Sequence, residues 1–367
     1  MREYTTNDVE KIKHNISVAG ERGKILKAYY DFLNEKTYYK NILNNSKRMS
    51  KCMDYWRWDK YEKNKLLDLQ VVSRCKSRFC PNCVKVSNGK AYHKFKPQFE
   101  KLKSYGYIPL FLTLTVPNVN SFDLKNTLTN MQKSFTKLFR WFNSVDDKVY
   151  FKKRLFVLKA ALRSLEITYN ATYNTYHPHY HIILFIDKNI NNYDMLRHIK
   201  TGLYKNNEEI LYSNIEFQIS QLWTMSFNNV SIKKYIENDT LYDEDKNLKY
   251  YLVNLEDIDF DKGMLELFKY TFKDIEFKNS CTSFEDNPFI IYFNALSGKR
   301  LRQGYGLLYG MDFDCENAEM EKENDSILDY LEFEESPTRA VIDVNDLETV
   351  YHDYKKISRF KHNFIED

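Results

Sequence analysis

The stretch His177-Pro178-His179-Tyr180-His181-Ile182-Ile183-Leu184-Phe185-Ile186 places three histidines within five residues, directly before an apolar run. In an extended strand, residues two apart point to the same face, so His179 and His181 present two imidazoles on one side. Two imidazoles at this spacing can chelate one divalent cation. His177 shares their parity but lies beside a proline, and it remains open whether it binds the metal or contacts the substrate.

The preceding stretch, residues 161–169 (ALRSLEITY), alternates in the same way, and a polar segment, residues 170–176, separates the two. This pattern predicts a β-hairpin with a long loop. If the hairpin pairs in register, Glu166 reaches the face of the histidines and supplies an oxygen ligand. Two imidazoles and one carboxylate leave open positions on a metal, as catalysis requires. The alternative is a hairpin with surface histidines and no ligand.

Further strand and helix patterns surround this hairpin. Residues 108–116 (IPLFLTLTV) predict a strand that ends at Pro117 and carries Thr113 and Thr115 on one face. Apolar residues at helical spacing, and shorter strand patterns, predict the remaining elements. The predicted helices lie within residues 1–50, 90–104, 122–143, about 192–204 and 262–273, and the further strands at about 214–219 and 230–232.

Charge is unevenly distributed along the 367 residues. Residues 1–200 hold 37 basic and 17 acidic side chains, residues 201–300 hold 11 and 17, and residues 301–367 hold 7 and 17. A basic front half interleaved with Tyr, Phe and Trp is typical of a surface that neutralises phosphates and stacks on unpaired bases. A lysine-rich surface without a ligand is the alternative, and charge alone does not separate the two.

Several protein classes are disfavoured by the sequence. It contains neither G-x-x-x-x-G-K-[ST] nor G-x-G-x-x-G, which argues against P-loop motors and common dinucleotide enzymes. The longest apolar stretches, IPLFLTLTV and HIILFI, are too short for a membrane-spanning helix, and we expect a soluble, cytoplasmic protein. Six cysteines are too few for a disulfide scaffold.

Three of the cysteines are close together. Cys80 and Cys83 form a C-x-x-C pair with Cys75 five residues earlier, which predicts a structural zinc site, and Cys52 is the preferred fourth ligand with His93 as its substitute. Buried free thiols are the alternative. A zinc site here would hold a basic segment against DNA phosphates. That segment contains Arg74, Lys76, Arg78 and Lys85.

A second candidate for chemistry is the stretch 266–274 (ELFKYTFKD). On a helix Glu266 and Tyr270 lie side by side, with Lys273 next along the same face. A tyrosine within reach of a metal-bound phosphate can attack it, and a nearby cation favours the phenolate. The carboxylate could orient a water or accept a proton. Taken alone, a tyrosine on an amphipathic helix usually serves packing.

Together these stretches resemble the three motifs of the rolling-circle replication initiators of Gram-positive bacterial plasmids, members of the HUH endonuclease superfamily. The resemblance spans roughly residues 75–305, and the cysteine segment resembles the one that precedes the first motif in that family. The motifs are FLTLTVPN (111–118), LEITYN (165–170) with HPHYHIIL (177–184), and ELFKYTFKD (266–274).

The resemblance implies an α+β fold, with a central antiparallel β-sheet and flanking helices of the HUH type that present Mg or Mn to single-stranded or extruded-hairpin origin DNA. His179 and His181 match the paired histidines, and Tyr270 matches the nucleophile that keeps the 5′ phosphate while the 3′ hydroxyl primes replication. Glu266 matches the carboxylate that helps water act at termination. Glu166 as the third metal ligand rests on strand parity alone.

The sequence thus predicts three regions: residues 1–105, basic, mainly helical and zinc-binding; residues 106–305, the nicking domain; and residues 306–367, an acidic C-terminal tail. The expected partners are plasmid origin DNA, a host helicase and a host DNA polymerase. No association with a membrane is expected. Besides the basic segment, the predicted DNA contacts are Thr113, Thr115, His177 and Lys269.

Three rival functions stay open. A mobilisation relaxase or a single-tyrosine transposase would share the HUH chemistry. A non-catalytic, zinc-stabilised module that binds single-stranded nucleic acid would use the histidines and Tyr270 only structurally. A zinc hydrolase of another substrate is disfavoured because no H-E-x-x-H occurs.

Overall fold

The computed structural model divides the chain into two compact units. The first consists of residues 1–94, 278–293 and 314–367, and the second of residues 95–277 and 294–313. The structure describes residues 2–33, 39–143, 156–187, 195–205, 207–230, 251–256, 260–268, 283–284, 286–310 and 336–358.

The first unit contains two packed helices, α1 (Thr6–Phe32) and α2 (Lys40–Ser50). Thr5 begins α1 with a capping box, in which its hydroxyl accepts the Asp8 N–H at 3.2 Å and its own N–H donates to the Asp8 carboxylate at 2.9 Å. A side chain at Gly23 would place its Cβ 2.4 Å from Ser50 Oγ, so glycine is what allows this close approach. The prediction of helices within residues 1–50 is confirmed in the described part.

The first unit also contains a five-stranded sheet in the order β1-β12-β3-β2-β11. Strands β12 and β3 pair in parallel, and the other neighbours are antiparallel. Trp56 and Trp58 are buried on β2. The strands are β1 (Arg2–Glu3), β2 (Trp56–Tyr61), β3 (Leu66–Val72), β11 (Thr338–Val341) and β12 (Lys355–Ser358).

The second unit is organised around a five-stranded, fully antiparallel sheet in the order β10-β5-β6-β4-β9. The prediction of an α+β protein with a central antiparallel sheet is therefore confirmed. The hairpin of β5 and β6 provides the two long strands at its middle. The strands are β4 (Ile108–Thr115), β5 (Leu158–Asn170), β6 (Thr175–Ile186), β9 (Val253–Glu256) and β10 (Arg302–Gly306).

Helices cover both faces of this central sheet. On one face Phe135 contacts Tyr180 and Tyr305, with ring centroids 5.8 and 4.9 Å apart, and Trp223 lies beside Tyr180. On the other face Phe268 packs against Phe95. The helices of this unit are α4 (Ser121–Asn143), α5 (Asn214–Phe227) and α6 (Phe260–Phe268), while α3 (Pro81–Ser104) and α7 (Pro288–Leu296) each have residues in both units.

Two predicted elements are wrong in type. Residues 199–205 form a strand, β7 (Ile199–Lys205), rather than a helix, and pair with β8 (Glu208–Tyr212) through a turn in which Asn207 has φ 67°. Residues 214–227 form α5 rather than a strand at 214–219. The reason is a capping box, because Ser213 Oγ accepts the Glu216 N–H at 3.2 Å and the Glu216 carboxylate accepts the Ser213 N–H at 2.9 Å.

The predicted acidic C-terminal tail is also wrong for part of its length. Strand β11 pairs with β2, strand β12 pairs with β3 and β1, and a short helix, α8 (Asp346–Thr349), lies between them. Ile357 is buried among Tyr61 and Leu66, and this apolar contact explains why the segment joins the sheet. Residues 311–335 and 359–367 lie outside the described residues.

No helix among the described residues is long and apolar enough to span a bilayer. The strand expected at 230–232 and the end of the helix expected at 262–273 fall largely outside the described residues.

Candidate functional site

The β5–β6 hairpin brings Glu166, His179 and His181 together. Its register pairs Glu166 with His179 and Ser164 with His181, so all of these side chains share one face of the central sheet. Glu166 Oε2 lies 2.7 Å from His181 Nε2 and 3.1 Å from His179 Nε2. One ligand atom from each of the three residues lies within 4.8 Å of the others. The structure thus brings the Glu166 carboxylate within hydrogen-bonding distance of both histidines.

The Nδ1 atoms of His179 and His181 each contact a further group. His179 Nδ1 donates to the backbone carbonyl of His177 at 3.2 Å, and His181 Nδ1 lies 3.3 Å from the hydroxyl of Thr113. This arrangement directs both Nε2 atoms toward Glu166, as is usual for metal-binding histidines whose Nδ1 is fixed by a second group. His177 therefore contributes its carbonyl, and Thr113 positions an imidazole.

The charge state of Glu166 suits a cation site. Burial raises the pKa of its carboxyl, but hydrogen bonds and positive charge from His179 and His181 lower it by more, so the pKa lies below its usual range. A carboxylate oxygen in contact with two imidazole nitrogens requires a proton or a cation between them. Two nitrogens and one oxygen form the donor set of catalytic divalent metals, with positions left for a substrate. These residues therefore fit the metal that the sequence predicts.

Thr115 lies opposite His179 on β4, as Thr113 lies opposite His181. Its hydroxyl donates to the backbone carbonyl of Leu252 at 2.9 Å and so joins β4 to the start of β9. His177 is half-buried, its ring centroid is 5.2 Å from that of His179, and burial together with His179 lowers its pKa. These three predicted DNA contacts all lie beside the cluster.

An arginine that sequence reasoning missed lies in the same row of the sheet. Arg302 on β10 pairs with Ser164, which pairs with His181. It is buried, and its guanidinium carbon lies 5.4 Å from the ring centroid of Phe268, the last residue of α6. Nothing in the local pattern around Arg302 distinguishes it, because its place depends on pairing with a strand about 140 residues earlier.

Helix α6 therefore ends on the face that carries the Glu166 cluster. Glu266 is exposed on this helix. The segment that continues from Phe268 contains the predicted nucleophile, but Lys269, Tyr270 and Lys273 lie outside the described residues. The described part of this segment ends at Phe268, two residues before Tyr270 in the sequence, on the sheet face that carries the Glu166 cluster.

The four predicted cysteines form a second cluster, in the first unit. Cys52 Sγ lies 3.4 Å from Cys80 Sγ and 3.6 Å from Cys83 Sγ, and Cys75 Sγ lies 3.5 Å from Cys83 Sγ. All four are buried and none forms a disulfide. Sulfurs about 2.3 Å from one zinc ion lie about 3.8 Å apart in a tetrahedron, which is close to these separations. Exposed His93 lies outside the cluster, so Cys52 completes it.

Local backbone contacts shape this cysteine cluster. The N–H of Cys75 donates to Cys52 Sγ and the N–H of Ser77 donates to Cys75 Sγ, both at 3.4 Å. Hydrogen bonds from neighbouring thiols lower the pKa of Cys83 well below its usual value and raise that of Cys80. Four thiolates cannot coexist at these distances without a cation. Arg74, Lys76, Arg78 and Lys85 are half-buried around the cluster.

Much of this chain is similar in sequence to known proteins. Residues 66–205 match the family described as Replication protein. Two proteins named Protein rep align over most of their length: the one from Bacillus amyloliquefaciens is 27% identical over 78% of this chain and 77% of its own, and one from Bacillus sp is 28% identical over 76% and 83%. Over residues 66–205 the chain is therefore similar to the replication protein family. The predicted resemblance to rolling-circle plasmid initiators of Gram-positive bacteria is confirmed at this level.

The matched region contains all of the Glu166 cluster but only part of the cysteine cluster, because Cys52 precedes it. It includes the three later cysteines, the histidines and Glu166, and it ends before α6. A Protein rep from Staphylococcus aureus is 35% identical over 33% of this chain and 48% of its own. No solved structure is significantly similar to this chain. These similarities support a plasmid replication initiator, and a protein of that kind is expected to bind plasmid origin DNA.

Proposed function

We propose that this protein is a plasmid replication initiator that nicks one strand of its origin, with Tyr270 as the nucleophile and Glu166, His179 and His181 holding a divalent cation, Mg or Mn. The observation that carries the proposal is the Glu166 cluster on a sheet face that helix α6 also reaches. Such a constellation serves phosphoryl transfer because it supplies a metal, a nucleophile and an approach for the phosphate.

The reaction is a transesterification. Tyr270 Oη attacks the phosphorus of one DNA phosphodiester, the bond between phosphorus and O3′ breaks, and O3′ takes up a proton. The products are a 5′-phosphotyrosine and a free 3′ hydroxyl, so no external oxidant, reductant or nucleoside triphosphate is needed. When bound, a divalent cation would polarise the non-bridging phosphate oxygens. The 3′ hydroxyl then primes synthesis by a host DNA polymerase, while a host helicase separates the strands ahead of it.

Residues of this chain divide the remaining tasks. Glu166 and the two imidazoles present their ligand atoms from the rigid hairpin, and Thr113 fixes the orientation of His181. Thr115, His177 and Lys269 are proposed to contact the DNA near the scissile phosphate. Buried Arg302 is proposed to position α6 through Phe268, because a guanidinium over an aromatic ring is attractive.

The cysteine cluster is proposed to hold zinc as a structural ion. Its four sulfurs are buried and lie within 4.8 Å of one another, and four thiolate ligands would leave no open position on the zinc for a substrate. This site would present the basic segment of Arg74, Lys76, Arg78 and Lys85 to the phosphates of origin DNA.

The test compares the full chain with its Tyr270→Phe variant on supercoiled plasmid carrying the coding region and its flanks, in Mn, Mg or EDTA. Denaturing electrophoresis should show metal-dependent nicking and a covalent protein–DNA adduct that the variant lacks. Tyr173→Phe, at an exposed tyrosine of the hairpin loop, is the matched control and should keep both. An adduct in Tyr270→Phe would show that another residue is the nucleophile. Binding without metal-dependent nicking would favour a non-catalytic module.

A further inference from the structure

Helix α4 carries a row of cations on its outward face. Lys125, Lys133, Lys137 and Arg140 are all exposed, and their spacing places them on one side of the helix. At a rise of about 1.5 Å per residue the row extends about 22 Å. We call these four residues the α4 stripe.

Lys299 adds a fifth cation to the middle of the stripe. Its ammonium group donates to the hydroxyl of Thr129, which lies one helical turn from Lys125 and one from Lys133. Partial burial and the positive charges of Lys125 and Lys133 lower the pKa of Lys299. A residue distant in sequence therefore converges on the same short surface.

Little negative charge balances this surface. Asp123 is the only acidic residue in the α4 sequence. Among the residues that the structure describes, no ion pair involves Lys125 or Lys133, and Lys137 donates to the neutral amide oxygen of Asn229 at 3.3 Å. A concentration of like charge of this kind attracts a polyanion.

The α4 stripe lies on the side of the sheet away from the metal cluster. The inner face of α4 contacts Tyr180 through Phe135. Tyr180 lies between His179 and His181 in strand β6, so its side chain points to the opposite face of the sheet. A ligand on the stripe is therefore a ligand at a second site.

The geometry favours duplex over single-stranded DNA. Surfaces for single strands interleave cations with aromatic rings that stack on bases. The one exposed aromatic residue of α4, Phe122, lies before Lys125, and none is exposed between Lys125 and Arg140. The backbone of a duplex offers regularly spaced phosphates without unpaired bases, which is the ligand that a row of cations without interleaved rings suits.

We propose that the α4 stripe, together with Lys299, binds the sugar-phosphate backbone of duplex DNA at a site separate from the nicking centre. This inference rests on the proposed function only in taking DNA as the substrate. Such a contact would hold the double-stranded flank of an origin while an unpaired segment occupies the metal face.

The test uses the full chain with Lys125→Gln and Lys133→Gln combined. The matched control combines Lys13→Gln and Lys27→Gln on α1, where the same charge is removed from lysines paired with Glu10 and Asp31. Affinity for a 30-base-pair duplex of random sequence is measured by fluorescence anisotropy over a range of KCl concentrations. The stripe variant should bind roughly tenfold more weakly and reduce the slope of log affinity against log salt by about 2. The control variant should match the wild type.

Equal slopes for the stripe variant and the control would overturn the inference, as would a wild-type protein without duplex affinity. Nicking of a single-stranded origin oligonucleotide is measured in parallel, and the stripe variant should retain it. If the stripe variant loses duplex affinity but the wild type never nicks, the proposed nicking function is contradicted and the duplex-binding site on α4 is supported. If the wild type nicks and the stripe variant has the same salt slope for duplex binding as the wild type, the nicking function is supported and the duplex-binding site on α4 is contradicted.

Discussion

Glu166 on β5 and His181 on β6 face each other across the central hairpin, with 2.7 Å between Oε2 and Nε2. Replacing Glu166 by Gln keeps the shape of the side chain and removes its negative charge. We expect Glu166→Gln to weaken Mn²⁺ binding by about 10- to 100-fold, because the cation loses its only charged ligand in this cluster. Isothermal titration calorimetry of the full chain measures the change.

The control for this prediction is His198→Ala. His198 is exposed, and its Nδ1 contacts the carbonyl of Leu196 at 2.8 Å, much as His179 contacts that of His177. It lies outside the cluster and should leave Mn²⁺ affinity unchanged. Equal affinities for wild type and Glu166→Gln would mean that the carboxylate is not a ligand.

Thr113 should act on the metal through His181. Thr113→Val keeps nearly the same volume but removes the hydroxyl that lies 3.3 Å from His181 Nδ1. We expect a loss of about tenfold in Mn²⁺ affinity, typical of a lost outer partner, and recovery in Thr113→Ser. Thr115→Val is the control, since that hydroxyl donates to a backbone carbonyl instead of a histidine. If both valine variants bind equally well, Thr113 has no positioning role.

Cys52 should be required for zinc, although it is 23 residues from the next cysteine of the cluster. We expect Cys52→Ala to lose the zinc ion and to lower the free energy of unfolding by about 4 kcal/mol. Metal content by inductively coupled plasma mass spectrometry and thermal denaturation check the two effects. His93→Ala should keep both zinc and stability, and the opposite outcome would exchange the roles of the two residues.

Glu266 should matter for termination rather than for the first nick. Glu266 is exposed near the end of α6, where solvent water reaches its side chain and a carboxylate can act as a general base. We expect Glu266→Ala to nick at a rate within about threefold of the wild type but to release few monomeric circles, as scored on gels of replication products. Lys262→Ala, an exposed change on the same helix, should release circles normally. Normal release by Glu266→Ala would remove Glu266 from this role.

The part of the site that could be predicted is the part fixed by strand periodicity. Because side chains alternate along a strand, a shift of one residue would move Glu166 to the face opposite His179. The apolar side chains of β6 have to face the core, and this requirement selects the observed register. The row that ends at Arg302 could not be predicted, because pairing between distant strands leaves no local pattern. The same reason hid the contacts of β12 with β1 and β3.

Helix α5 shows a different limit. Ile215, Phe217 and Ile219 alternate as in a strand, and the prediction followed that alternation. The capping box of Ser213 and Glu216 determined the outcome, and Arg197 reinforces it with a bidentate contact to Glu216 at 2.7 and 3.1 Å. Helix-start signals therefore outweigh four or five residues of alternation.

The parallel pairing of β12 with β3 also affects how the protein is made. Strand β3 leaves the ribosome about 280 residues before β12, which at about 5–20 residues per second is a delay of roughly 15–60 s. Until then one edge of β3 stays open to pairing with other chains. The first unit, which contains the earliest strands to be translated, is therefore the last to close. All four cysteines are translated by residue 83, so the proposed zinc ion would link the early half of this unit before β12 is made.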